Sequence, residues 1–213
     1  MGSVVSNLKR LWPGRMIPSV IDEDGFPPMS AARSKRLSRG AIAAAVLMAT
    51  GLTASSTANA DDGVMGPYKI FNRASGMVVD VPTPGTENKF THLWPYWGGT
   101  NQQFDLVEVE PDNPKSDVLL RVRNSGKCLD VNNAVLDSGA RVQTFPCTGT
   151  PSQRWFLEPV SPSGDTLVVR ARHSGQCLDA ANPEYPTPAP QGAAIQQWPC
   201  NRTANQIWEF YRV

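Results

Sequence analysis

The sequence predicts an all-β fold in which three copies of a unit of about fifty residues share one core. Three observations predict it. The same blocks of residues recur in the same order at three places, and short apolar–polar alternations fill the units. From residue 61 onward, no stretch of about ten residues carries helical periodicity.

The second unit contains RVRNSGKCLDV (Arg121–Val131), GARVQTFPC (Gly139–Cys147) and SQRW (Ser152–Trp155). The third contains RARHSGQCLDA (Arg170–Ala180), GAAIQQWPC (Gly192–Cys200) and NQIW (Asn205–Trp208). The first is fainter, with FNRASGMVVDV (Phe71–Val81), THLWPY (Thr91–Tyr96) and NQQF (Asn101–Phe104). Asp80, Asp130 and Asp179 mark equivalent places, separated by 50 and 49 residues. The units run over about 64–110, 111–160 and 161–213. Alternation in Val118–Arg123 and Thr166–Arg170 reads as strand, and Ser-Gly pairs at 75–76, 125–126 and 174–175 read as tight turns. A unit of this size cannot bury its own apolar face. Three around an axis can, and a closed barrel leaves no bare strand edge. Trp155, Trp208 and Phe104 end the Q-x-W/F elements and read as core.

The N-terminal part reads differently. Arg33, Lys35, Arg36 and Arg39 precede a twelve-residue apolar run, Ala41–Leu52, and Ala58-Asn59-Ala60 closes it. A basic start, short apolar middle and A-x-A end make residues 29–60 a secretory signal peptide, and the run is too short to span a bilayer. Residues 1–28 hold four prolines and an acidic run, Asp22–Asp24, with no apolar period. They are expected to be a non-native or disordered extension ahead of Met29. The mature domain is then 61–213, enough for one domain that hides roughly 68–70% of its unfolded surface.

Of the 20 Lys+Arg and 19 Asp+Glu, 7 and 3 lie in residues 1–60, which leaves 13 and 16 and a net charge of −3 for residues 61–213. That balance carries no basic stripe and excludes nucleic acid as the expected partner. All four cysteines lie in the exported part, and an even count there points to two disulfides. Cys128 and Cys177 hold one repeat position, Cys147 and Cys200 another. Val78 and Tyr96 fill both places in the first unit. Joint absence marks partners, so the pairs are Cys128–Cys147 and Cys177–Cys200. The spacing does not form the paired C-x-x-C clusters of a zinc site, and no metal or cofactor is expected.

Cys-Leu-Asp, then Gln-x-aromatic-Pro-Cys, then Asn-Gln-x-Trp, over essentially all of residues 64–213, resembles the ricin B-chain type lectins. The resemblance implies a β-trefoil, a six-stranded barrel capped by three hairpins, with up to three shallow sugar pockets. It also implies a pocket set in each unit. The third has Asp179, Gln196, Trp198, Asn205 and Gln206; the first has Asp80, His92, Trp94, Asn101 and Gln102. The second has Asp130, Gln143, Phe145, Ser152 and Gln153, where Ser152 lacks the amide. The third site is expected to be strongest and the second weakest.

These residue types suit a sugar. The C–H face of a pyranose lies flat on an indole and leaves water. Hydroxyls donate to an ionised carboxylate in bonds about twice as strong as neutral ones, and Asn offers both a donor and an acceptor. Gln102, Gln153 and Gln206 admit a second role, since a buried amide needs backbone partners. Proline-rich Asn182–Pro190 lengthens the third unit, and Tyr185 within it is expected to flank that pocket.

An enzyme is not expected. His92 and His173 stand outside any nucleophile motif, the repeat aspartates belong to separate lobes, and Glu108 and Glu110 read as a solvated linker. The expected function is therefore a secreted, extracellular carbohydrate-binding domain for glycans or polysaccharide, without membrane insertion. The alternative is the binding subunit of a secreted toxin or multi-protein complex, with a protein partner and partly vestigial sugar sites. A protease inhibitor presenting residues 182–190 is a third class.

Overall fold

The computed structural model of the chain describes residues 63–83, 88–110, 113, 116–182, 184 and 187–213. The expected extension 1–28, the leader 29–60 and Tyr185 lie outside the described residues. Among the described residues twelve strands form in chain order, four in each repeat. In the first repeat these are β1 (Val64–Asn72), β2 (Val78–Asp80), β3 (His92–Trp94) and β4 (Phe104–Glu108). The second supplies β5 (Val118–Val122), β6 (Cys128–Val131), β7 (Val142–Phe145) and β8 (Arg154–Pro159). The third supplies β9 (Leu167–Ala171), β10 (Cys177–Ala180), β11 (Ile195–Trp198) and β12 (Trp208–Arg212).

The first and last strand of each repeat build the barrel. Antiparallel pairing runs β1–β4, β4–β5, β5–β8, β8–β9, β9–β12 and β12–β1, which closes a ring of six. The inner strands form three hairpins, β2–β3, β6–β7 and β10–β11. This is the β-trefoil that the repeat and its family resemblance imply. Among the described residues the only helical segments are three-residue 3-10 turns, and three of these, Thr100–Gln102, Pro151–Gln153 and Ala204–Gln206, sit at one repeat position.

Burial follows the two-residue strand period. β5 alternates buried and half-buried along its length, and Leu120, Val122, Val169 and Ile70 reach the centre with no exposure. Phe104, Trp155 and Trp208 are also fully buried at equivalent places. The two indoles satisfy their N–H groups on the hairpin carbonyls of Leu129 (3.3 Å) and Leu178 (3.0 Å). Phe104 has no such group to satisfy, which lets a plain phenyl ring stand there. The turn glycines Gly76, Gly126 and Gly175 adopt φ of 71°, 69° and 70°, a left-handed conformation that costs other residues energy. Each donates its N–H to the carbonyl four residues back, at 2.9–3.0 Å.

The three hairpins are also stitched to one another in a cycle. Thr144 N–H donates to Lys89 O, Gln197 N–H to Ala140 O, and Leu93 N–H to Ala193 O, at 2.8–2.9 Å. Disulfides join Cys128 to Cys147 and Cys177 to Cys200, with Cα atoms 5.0 and 5.1 Å apart, the pairing that repeat position predicts. In the first repeat the equivalent Val78 is fully buried, and the Lys69 ammonium lies over the Tyr96 ring at 4.6 Å.

Candidate functional site

Each hairpin carries an aspartate on its first strand and a polar residue followed two places later by an aromatic on its second. Register sets them face to face, because Asp80 pairs with His92, Asp130 with Gln143 and Asp179 with Gln196. The period of two then puts Trp94, Phe145 and Trp198 on the same face as those partners. The intervening residues, Leu93, Thr144 and Gln197, point the other way and are buried.

In the third repeat Asp179 is 2% exposed. Gln196 Nε2 donates to its Oδ1 at 2.9 Å, while Asn205 Nδ2 and Gln206 Nε2 donate to its Oδ2 at 2.7 and 3.1 Å. A carboxylate offers about four acceptor positions, so three amide donors leave one open. Burial pushes the Asp179 carboxyl above the ordinary aspartate value, against the opposing pull of the hydrogen bonds from Gln196 and Gln206. Asp179, Gln196, Trp198 and Asn205 line one cleft of about 430 Å³, and Trp198 is 42% exposed. Gln197 fixes the wall beside that ring. Its side chain donates to Val135 O and Asp137 O at 3.0 and 2.9 Å, which seats the second repeat's loop next to Trp198. A Cβ at Gly139 of that loop would touch Trp198 Cζ3 at 3.6 Å.

The first repeat repeats the arrangement with an imidazole. His92 Nε2 lies 3.0 Å from Asp80 Oδ1, and Asn101 Nδ2 and Gln102 Nε2 donate to Oδ2 at 2.9 and 2.8 Å. Asp80, His92, Trp94 and Asn101 line a cleft of about 280 Å³. The His92 and Trp94 rings are 5.3 Å apart.

The second repeat is looser. Gln143 Nε2 reaches Asp130 Oδ1 only at 3.5 Å, and Ser152 Oγ donates to Oδ2 at 3.1 Å. Gln153 bonds Pro146 O at 3.0 Å. Phe145 is 38% exposed, with a smaller ring than the indoles.

Gln102, Gln153 and Gln206 are fully buried. Their amides hold the loop after each aromatic, donating to Pro95 O, Pro146 O and Pro199 O and accepting from the N–H groups of Trp97, Thr148 and Asn201. Gln102 and Gln206 also stand behind their aspartates and donate to them, whereas Gln153 makes no bond to Asp130 and only holds its loop. Sequence reasoning missed further lining residues, among them three on these loops and one on the turn after β2. Trp97 and Thr83 line the first cleft, and Asn201 and Thr203 the third. Thr203 Oγ1 lies 2.5 Å from both Asn201 Oδ1 and Asn205 Oδ1, so a hydroxyl braces the amide pair. The signal in the sequence was the four-residue span before the Asn-Gln block (97–100, 148–151 and 201–204), whose composition varies among repeats.

A closed trefoil with a carboxylate and an exposed indole in each of two hairpin clefts defines the lectin class of β-trefoil. The family model described as ricin-type beta-trefoil lectin domain-like matches residues 57–133 and 100–188, over half the chain. The chain belongs to that family. Among solved structures it is similar to ThreeFoil, a designed 3-fold symmetric protein, at 32% identity and TM-score 0.62, over 71% of this chain and 100% of that one. It is also similar to 1,3Gal43A, an exo-beta-1,3-galactanase from Clostridium thermocellum, at 25% identity and TM-score 0.62, over 70% of this chain and 30% of that one. The fold alone is shared with the Macrolepiota procera ricin B-like lectin solved in complex with lactose, at 23% identity and TM-score 0.55, over 68% of this chain and 94% of that one. No curated protein matches the chain by sequence.

Proposed function

We propose that residues 61–213 act outside the cell as a carbohydrate-binding domain, exported by the leader at 29–60 and holding glycan or polysaccharide at the first and third clefts. The observation that carries this reading is the convergence of Asp179, Trp198 and Asn205 on one open cleft, with one acceptor position on the carboxylate unused. A pyranose laid on Trp198 turns a hydroxyl toward that position, and the Asn205 amide oxygen accepts from a second. Lactose beside one relative and galactan as another's substrate favour galactosides among the sugars to be tried.

Binding without bond cleavage fits the clefts. Among the described residues Asp179 is the one carboxylate lining the third and Asp80 the one lining the first, whereas glycoside hydrolysis uses two carboxylates about 5–9.5 Å apart. The two disulfides suit an oxidising, extracellular setting. Among the described residues no helix is long and apolar enough to cross a membrane.

Titration calorimetry against galactosides and xylo-oligosaccharides tests the reading. The wild type is expected to bind a small sugar near 1 mM, about −4 kcal/mol per site. Trp94→Ala/Trp198→Ala removes two exposed rings without opening the core and is expected to abolish that heat. Equal binding by both proteins, or no sugar bound by the wild type, overturns it.

A further inference from the structure

The first cleft holds a second indole that neither the repeat pattern nor the other clefts call for. Trp97 is 61% exposed, more than Trp94 (37%) or Trp198 (42%), and it lines the same cleft as Trp94, Asp80, His92 and Asn101. Its place is prepared. Gln102 Oε1 accepts the Trp97 backbone N–H at 2.9 Å, the bond that fixes this backbone position in all three repeats, and here the ring lies over Gly99. A methyl group at Gly99 would overlap the six-membered ring of Trp97 and the Asn101 amide oxygen. The backbone does not ask for that glycine, since Gly99 has an ordinary φ of −68°. Space for the ring does. At the same two repeat positions the second unit has Thr148 and Thr150, and the third has Asn201 and Thr203. An indole this exposed keeps apolar surface in water, and a ring held over a cleared floor beside a carboxylate cleft is built to be covered.

We propose that Trp97 is a second sugar platform and that the first cleft takes two or more linked pyranose rings, one at Asp80 and Trp94 and the next on Trp97. The third cleft, with Asn201 in the place of Trp97, takes one ring. The first cleft is then selective for an oligosaccharide or the interior of a polysaccharide, and the third for a single residue. This assignment rests on the carbohydrate-binding reading given above, and the test separates the two.

Indole N–H resonances of the ¹⁵N-labelled protein, assigned by substitution, report each cleft by itself. The probes are methyl β-galactoside, lactose and a three-ring β-1,3-galacto-oligosaccharide, with xylose, xylobiose and xylotriose as a second series. One-ring sugars are expected to move Trp94 and Trp198 and leave Trp97 still, whereas two- and three-ring sugars of the series that binds move all three. Trp97→Ala is expected to weaken the first cleft for the two-ring sugar about tenfold, the equivalent of 1.4 kcal/mol. Its one-ring affinity and the whole response at Trp198 are expected to stay as in the wild type. Trp97 signals that stay still while Trp94 responds to two- and three-ring sugars would overturn the assignment and leave the carbohydrate reading standing. Trp97 moving as far with one ring as with three would overturn it too. If no sugar moves Trp94 or Trp198, the carbohydrate reading itself fails and takes this assignment with it.

Discussion

The Asp179 carboxylate accepts three amide N–H groups at 2% exposure, and burial still holds its pKa above the ordinary aspartate value of about 3.9. For an acid raised in the folded state, the favourable contribution is present below the unfolded pKa and is lost as pH rises through the folded one. At neutral pH the ionised group therefore opposes folding. Asp179→Asn, with Gln196 turning its amide to match, is expected to raise the melting temperature at pH 7. The gain should vanish near pH 3, and thermal melts across that range check it. Sugar binding at Trp198 should be lost in the same variant. In the wild type, third-cleft affinity should fall on acidification already above the ordinary aspartate range, because protonation removes the open acceptor. Asp179, Trp198 and Asn205, which the family resemblance singled out, line one cleft in the structure. Both roles of Gln206 were legible, and its burial with bonds to Pro199 O and the Asn201 N–H selects the structural one. Trp97 was not legible, because it belongs to the span that varies between repeats, and only the folded chain shows its ring resting over Gly99.

Hairpins explain why three similar sequences give unequal clefts. The β6–β7 hairpin keeps the aspartate, the register and the exposed ring, yet Asp130 holds only a 3.5 Å contact from Gln143 and a hydroxyl from Ser152. The hydroxyl is too short to present an amide to both the carboxylate and a ligand. Ser152→Asn with Phe145→Trp restores the residue types of the other two hairpins. A third sugar-responsive indole signal is expected from that variant, with affinity rising severalfold toward that of the third cleft. An unresponsive Trp at position 145 would show that the loop after β6, with Asn133 and Ala134 at φ of 56° and 51°, closes the cleft from the other side. Among the described residues that turn has no counterpart in the other repeats; Asn133 is of a type that tolerates positive φ, but Ala134 is not, so the sequence did not announce it.

The molecule as a whole is set by closure. Six strands from three units meet as one ring, and the hairpins are stitched to one another in a second cycle at 2.8–2.9 Å. The ring was readable from the threefold recurrence; the stitching was not, since it runs between backbone groups that carry no side-chain signature. Rigid spacing of two clefts suits a polymer, where joint engagement raises apparent affinity by about 10²–10⁴ without a new contact. The unequal cross-linking of the repeats has its own effect. Cys200 adjoins Asn201 at the rim of the third cleft, whereas the first cleft's rim is tethered at Tyr96 by Lys69. Reduction removes about 3 kcal/mol per bridge. In the cold, where circular dichroism shows the reduced chain still folded, third-cleft affinity is expected to drop severalfold while the first cleft keeps its own. Thiol-rich surroundings would then turn a two-handed grip into a one-handed one, and a polysaccharide strand would slide free of the protein far sooner.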